Sequence, residues 1–126
     1  MEDPKKILIV ENETVIALDI KRTVIQLGYS VISAVSRGEE ALSIINENKP
    51  DVVVMDILLD GDLNGIETGV IISEKYKIPI IYITAYAKEI LLRSKITESS
   101  VYLVKPFDEE ELAEKIKEVL IQGKAN

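Results

Sequence analysis

The sequence predicts an α/β domain whose parallel β-sheet is covered by helices on both faces. Two features predict it: five short runs made mostly of Val and Ile, and helical segments between consecutive runs. Runs that are apolar throughout, rather than alternating, are typical of parallel strands buried on both faces. Right-handed crossovers between such strands give a doubly wound sheet. The chain has 126 residues, and we predict a single domain over residues 1–126 with an ordered core at about 5–122.

Each predicted strand is bounded by charged or turn-forming residues. Lys5 and Lys6 precede the first strand, and Pro79 precedes the fourth, at a position where a strand tolerates proline. The predicted strands are Ile7–Val10, Ser30–Val35, Val52–Met55, Ile80–Ile83 and Val101–Val104. For five strands in a doubly wound sheet we expect the order 2-1-3-4-5, which is the flavodoxin-like arrangement.

Five helices are predicted from apolar residues at helical spacing and from signals at the helix ends. Thr14 is expected to cap the first helix, which Gly28 ends. Asp108 and Glu111 form a capping box for the last helix, which Gly123 is expected to end. The other predicted helices are Glu39–Glu47, Ile66–Tyr76 and Lys88–Ser94. The apolar stripe expected on the first helix comprises Ile16, Ile20, Val24 and Leu27.

The composition excludes several classes of function. The chain contains neither Cys nor His, which rules out disulfides, thiol nucleophiles and histidine acid–base chemistry. Fifteen Lys and Arg against 22 Asp and Glu give a net charge of −7, which argues against direct binding of nucleic acid or of an anionic membrane. Because no apolar run could span a membrane and the N-terminus lacks a signal-peptide pattern, we expect a cytoplasmic protein.

Polar residues follow the strands of the predicted sheet. They are Glu11 and Asn12 after the first strand, Asp56 after the third, Thr84 after the fourth and Lys105 after the fifth. Strand ends are often polar because the chain turns there, but the first and third strands are neighbours at the switch point, where ligands bind. A crevice rich in carboxylates favours a hard cation such as Mg²⁺ together with a phosphoryl group. A flavin site is disfavoured, because the acidic segment after the first strand would repel phosphate.

Four segments resemble the receiver domain of two-component response regulators: ILIVENE, VVVMDILLDG, IIYITAY and YLVKPF. They stand in the order and spacing of that family, and the resemblance covers essentially the whole chain. It implies a signalling module rather than an enzyme, phosphorylated by a sensor histidine kinase or a phosphotransfer protein. It also implies an output domain or partner, contacted through the fourth helix, the fifth strand and the last helix.

The resemblance implies a role for each matching residue. Asp56 matches the phosphoacceptor, Lys105 the lysine that pairs with the phosphoryl group, and Thr84 the switch hydroxyl. Tyr102 matches the switch aromatic, and Pro106 is expected to follow a cis peptide bond. The residues that match the Mg²⁺ ligands are Glu11, Asn12, Asp56 and Leu58 through its backbone carbonyl.

The sequence departs from the family pattern at two places. Asn12 stands where the family usually has an aspartate, and Glu13 either compensates for that lost charge or faces solvent. The loop Leu58–Gly65 is one residue longer than in many receivers, as in receivers attached to sensory kinases.

Two alternative functions stay open. If Asn12 weakens the metal site, the chain is an interaction module that keeps the fold without phosphate control. A small Mg²⁺-dependent phosphohydrolase is less favoured, because that chemistry usually wants a second acid two residues after the nucleophile, where Leu58 stands.

Overall fold

The sheet has the predicted topology. The computed structural model describes residues 3–59, 61–85 and 101–125, and its five parallel strands lie in the order β2-β1-β3-β4-β5. They are β1 (Lys6–Val10), β2 (Ser30–Val35), β3 (Val52–Asp56), β4 (Ile80–Thr84) and β5 (Val101–Val104). All five predicted strands are therefore confirmed; β1 begins one residue earlier than predicted, and β3 and β4 each end one residue later.

Within the described residues, helices connect the first four strands and follow β5 as predicted, with different boundaries. The described α-helices are α1 (Thr14–Gln26), α2 (Gly38–Glu47), α3 (Gly65–Ile71) and α4 (Glu109–Ala125). The predicted helix at Lys88–Ser94 lies outside the described residues. The prediction that Gly123 ends the last helix is wrong, because α4 continues to Ala125. The predicted capping box is confirmed: Glu111 N–H donates to Asp108 Oδ1 (2.8 Å), and Asp108 N–H donates to Glu111 Oε1 (3.3 Å).

The third predicted helix, Ile66–Tyr76, is not a uniform α-helix. It turns into a π-helix over Ile72–Tyr76 and ends at Lys77, whose backbone is left-handed (φ 58°). Tyr76 Oη donates a hydrogen bond to Asn46 in α2, and Ile72 is fully buried. The wider π-helical turn accommodates both contacts at the end of one short helix.

Two predictions about α1 are also wrong. Thr14 is the first helical residue; Glu13 holds the N-cap position, with extended backbone and no capping bond from its side chain. Leu27 is 41% exposed, because it is the C-cap residue, where the backbone leaves the helix toward Gly28 (φ 96°). Ile20 and Val24 are buried as expected, and Ile16 is half-buried.

The three central strands, β1, β3 and β4, are buried on both faces, which explains their continuous apolar runs. Alternate residues of β1 face opposite sides: Ile7 and Ile9 pack in one cluster with α1 and α4, while Leu8 and Val10 pack in another with α2 and the π-helical turn. Within the described part of the chain, no helix combines the length and the apolar character needed to cross a membrane.

Candidate functional site

The sheet brings four of the predicted site residues to one edge. β1 and β3 run side by side, with Val10 opposite Met55, so Glu11 and Asp56 leave the sheet at adjacent positions. On the other side of β3, Asp56 pairs with Ile83, next to Thr84. These are the carboxyl ends of neighbouring parallel strands, where ligands of doubly wound sheets bind.

β5 adds an ammonium group to this edge. Lys105 N–H donates to the carbonyl of Thr84 (2.8 Å), which continues the β4–β5 pairing beyond the end of the strand. The peptide bond that follows, between Lys105 and Pro106, is cis as predicted. Thr84 itself is buried. The sheet therefore fixes the backbone of both residues beside Asp56.

Lys105 pairs with carboxylates from two strand ends and from the helix N-cap. Its Nζ lies 3.2 Å from Glu11 Oε1, 3.6 Å from Asp56 Oδ2 and 3.6 Å from Glu13 Oε1. Burial alone lowers the pKa of Lys105, but the attraction of Asp56 and then of Glu11 outweighs it, so that the pKa is raised. The lysine is therefore charged at neutral pH.

Glu11 is an acid buried against another acid. Burial is the largest cause that raises the pKa of Glu11, to about 7; the nearby Asp56 side chain, through hydrogen bonding and its negative charge, raises it as well. The N–H of Glu13, which donates to Glu11 Oε1 (3.2 Å), and the charge of Lys105 act in the opposite direction. Glu11 Oε2 is buried and accepts no hydrogen bond from any described residue. Such an oxygen is costly to bury unless a proton or a cation satisfies it.

These groups fit a Mg²⁺ ion. Glu11 supplies a buried oxygen without a described donor, and Asp56 supplies a second carboxylate. Asn12, half-buried directly after Glu11, would add an amide. Among the described residues no three Asp, Glu, His or Cys side chains form a metal-binding group, so the set needs the Asn12 amide and a backbone oxygen. Mg²⁺ accepts such ligands beside one or two carboxylates and phosphate oxygens. Leu58, the predicted carbonyl ligand, donates its N–H to Asp56 Oδ1 (3.2 Å).

The remaining predicted residue, Tyr102, lies on β5 opposite Tyr82 of β4. It is 36% exposed and belongs to a strand that is buried only in part. It stands three positions before Lys105 in the sequence.

The structure adds two acidic residues to the surroundings of the site. Glu13, left open between compensation and solvent, pairs with Lys105 while its side chain stays 62% exposed. Glu39 was not among the predicted site residues: its Oε1 accepts a hydrogen bond from Leu63 N–H (2.9 Å) in the loop after Asp56. No local pattern predicts that contact, because the partners are far apart in the sequence.

Comparison with known proteins agrees with this geometry. Residues 7–117 match the family model of the response regulator receiver domain. The transcriptional regulatory protein PdtaR of Mycobacterium tuberculosis is 31% identical over 105 residues, which cover 82% of this chain and 51% of that protein. The positive alginate biosynthesis regulatory protein of Pseudomonas aeruginosa is 39% identical over 114 residues, which cover 88% of this chain and 45% of that protein. This chain thus spans about half the length of these relatives.

Solved structures with the same fold include a response regulator and a signal receiver domain. The response regulator PhyR from Brucella abortus superposes with a TM-score of 0.86 and 31% identity, over 97% of this chain and 50% of that one. The signal receiver domain of a modulated diguanylate cyclase from Desulfovibrio desulfuricans superposes with a TM-score of 0.83 and 29% identity, over 98% of both chains. The match to the family model and the carboxylate–lysine edge of the sheet lead to one conclusion: the chain belongs to the response regulator receiver domain family.

Proposed function

We propose that Asp56 accepts a phosphoryl group from a phosphohistidine, and that the domain thereby switches a partner or an attached output domain. The donor is a sensor histidine kinase or a phosphotransfer protein. One observation carries the proposal: the Asp56 carboxylate is buried at the switch point, 3.6 Å from Lys105 Nζ and beside an oxygen of Glu11 that has no described donor.

The proposed transfer needs a nucleophile and charge neutralisation. A carboxylate oxygen of Asp56 attacks phosphorus; the new O–P bond forms as the P–N bond to imidazole breaks, and the electron pair leaves on the imidazole nitrogen. Lys105, already held beside Asp56, pairs with the phosphoryl oxygens as they approach. Glu11, Asn12, Asp56 and the Leu58 carbonyl would hold Mg²⁺, which neutralises phosphoryl charge when bound.

The signal would leave the site through β4 and β5. Phosphorylation adds about −1.5 to −2 charges at Asp56, and the neighbouring Thr84 hydroxyl is the group proposed to bond the new oxygens. Tyr102, on the neighbouring strand β5, is the aromatic side chain proposed to change position in response. Exposed apolar side chains on β5 and α4, namely Tyr102, Val104 and Ile121, support this face as the output surface.

Mass spectrometry tests the proposal directly. The protein is incubated with Mg²⁺ and acetyl phosphate, and we expect the mass of one added phosphoryl group, which peptide mapping assigns to Asp56. Asp56→Asn is nearly isosteric and should keep the fold but form no adduct. Asp62→Asn, which changes an exposed acid in the adjacent loop, is the matched control and should form the adduct normally.

The other outcomes identify the alternatives. Absence of any adduct with donor and metal in excess would overturn the proposal in favour of a phosphorylation-independent interaction module. Rapid multiple turnover of acetyl phosphate would instead favour the phosphohydrolase. An adduct that persists in Asp56→Asn would contradict the assignment of the phosphoacceptor.

A further inference from the structure

We propose that Glu39, in the first turn of α2, is a positioning residue that holds the β3–α3 loop, and with it the Leu58 carbonyl, in the geometry that Mg²⁺ binding requires. The inference deepens the proposed function and rests on it, because Leu58 is a metal ligand only in that proposal. Glu39 is not itself a ligand in this account. It acts from outside the site, through hydrogen bonds to the loop.

The base of the loop is closed by backbone contacts. Gly65 N–H donates to the carbonyl of Ile57 (2.8 Å), so the loop leaves and re-enters at nearly the same point. A Cβ on Gly65 would collide with the carbonyl oxygen of Asp56 and the backbone of Ile57. The start of α3 therefore lies directly against the backbone of the proposed phosphoacceptor, and the base of the loop cannot shift without moving it.

The far side of the loop is held by the Glu39 carboxylate. Oε1 accepts the N–H of Leu63 at 2.9 Å. Oε2 lies beside Gly61, where an added Cβ would stand only 2.9 Å from it. Gly61 also has a φ of 91°, a conformation that L side chains rarely adopt. One carboxylate thus accepts a hydrogen bond from the loop at Leu63 and lies close to the loop at Gly61.

The position of Glu39 in α2 also stabilises its negatively charged carboxylate. Glu39 lies in the first turn of α2, where backbone N–H groups and the helix dipole stabilise negative charge. Hydrogen bonds from its own N–H and from Leu63 N–H hold the pKa of Glu39 below its usual range. Glu39 is therefore ionised at neutral pH and accepts strong, charge-assisted hydrogen bonds.

The position of the Leu58 backbone depends on how the loop is held, because the Leu58 side chain is largely exposed and packs little. That side chain is 59% exposed, and the Leu58 N–H bonds the Asp56 carboxylate (3.2 Å). Between Leu58 and the base at Gly65, half-buried Leu59 packs against the core, and the Glu39 carboxylate holds the rest of the loop at Leu63 and beside Gly61. Partners that orient metal ligands typically contribute about 10–100-fold to metal affinity. Loss of the Glu39 carboxylate should accordingly weaken Mg²⁺ binding without touching a ligand.

The experiment compares wild type, Glu39→Ala, Glu39→Gln and Glu40→Ala. Glu40 is the adjacent acid in the same helical turn, and the contact found for its side chain is with Ser36, so its removal changes the charge equally and leaves the loop alone. NMR measures two quantities: amide hydrogen exchange of Leu63 in metal-free protein, and the Mg²⁺ dissociation constant from a titration. We expect Glu39→Ala to speed exchange at Leu63 and to weaken Mg²⁺ about tenfold relative to Glu40→Ala. Glu39→Gln keeps an acceptor oxygen and should recover part of both effects.

Each contrary result overturns the inference. Equal loss of Mg²⁺ affinity in Glu39→Ala and Glu40→Ala would show a general charge effect, and faster Leu63 exchange with unchanged Mg²⁺ affinity would show a loop contact without consequence for the metal. Either result leaves the proposed function standing if Asp56 still forms its adduct. Failure of wild type to form the adduct or to bind Mg²⁺ would instead remove the basis of both.

Discussion

At the scale of single residues, Lys105 is the cation that the acids of the site share. Its ammonium lies within 3.6 Å of carboxylate oxygens of Glu11, Glu13 and Asp56. Glu13 places a negative charge at the exposed edge of the site, but its carboxylate pairs with Lys105. The ligand set proposed for Mg²⁺ therefore contains two carboxylates, and the amide of Asn12 takes the place of a third.

This charge count predicts the effect of Asn12→Asp. The substitution restores a negative ligand beside Glu11 and Asp56, at the cost of stronger repulsion among the acids. We expect Mg²⁺ to bind about tenfold more tightly, equivalent to about 1.4 kcal/mol. Titration of Mg²⁺ followed by NMR measures the two dissociation constants at the same ionic strength.

Asn48→Asp is the matched control for this prediction. Asn48 is exposed at the C-terminal end of α2, where its side chain accepts a hydrogen bond from Lys6, so the change in charge is the same and the position is remote from the ligand set. Its Mg²⁺ affinity should equal that of wild type. Equal affinities for wild type and Asn12→Asp would mean that residue 12 is not a ligand.

At the scale of elements, β4 and α3 pack too closely for most side chains. A Cβ on Gly69 of α3 would run into the ring and hydroxyl of Tyr82 from β4. Tyr82 is 5% exposed, and burial raises its pKa to about 12. The sequence predicts that Tyr82 is a packing residue. The contact between β4 and α3 shows that it is also a buried titratable group.

Because the pKa of Tyr82 is raised, we expect the protein to lose stability at alkaline pH. The unfolded chain releases this proton near the ordinary pKa of tyrosine, whereas the folded protein keeps it until about pH 12. The contribution to the free energy of unfolding is thus fully present below about pH 10 and is lost as the pH rises toward 12, by up to about 2–3 kcal/mol. Urea denaturation of wild type and Tyr82→Phe across this range measures the difference. Parallel pH profiles for the two proteins would show that Tyr82 keeps an ordinary pKa.

The elements also show where sequence patterns stop being informative. Val52–Asp56 and Ile80–Thr84 were predictable because a strand buried on both faces has to be apolar throughout. The capping box at Asp108 was predictable because its two partners are three residues apart. The π-helical turn was not, since it depends on a contact between Tyr76 and Asn46 of another helix.

At the scale of the whole molecule, the topology accounts for how much of the site was predictable. Once the strand order is 2-1-3-4-5, residues that follow β1, β3, β4 and β5 must share one edge, so Glu11, Asp56, Thr84 and Lys105 could be grouped from the sequence. The support from Glu39 could not be predicted, because it depends on how α2 lies against a loop that follows a different strand. Side-chain contacts between separate connections leave no periodic pattern in a sequence.

The last prediction concerns the stability of the whole domain in the presence of metal. An ion that binds only the folded state raises the free energy of unfolding by about 2.7 kcal/mol at a concentration 100-fold above its dissociation constant. The net charge of −7 also means that any salt stabilises the domain by screening repulsion among its acids. We therefore expect MgCl₂ to raise the urea midpoint more than NaCl does at equal ionic strength, and a chelator to remove that excess.

Asp56→Asn separates the specific effect from the general one. It takes one carboxylate from the proposed ligand set but changes the net charge by a single unit, so its response to NaCl should match that of wild type. Its additional stabilisation by MgCl₂ should be largely lost, because an ion held by one carboxylate and neutral oxygens binds weakly. If MgCl₂ and NaCl stabilise wild type equally, the buried oxygen of Glu11 is satisfied by a proton rather than by a metal ion, and the proposed magnesium site is wrong.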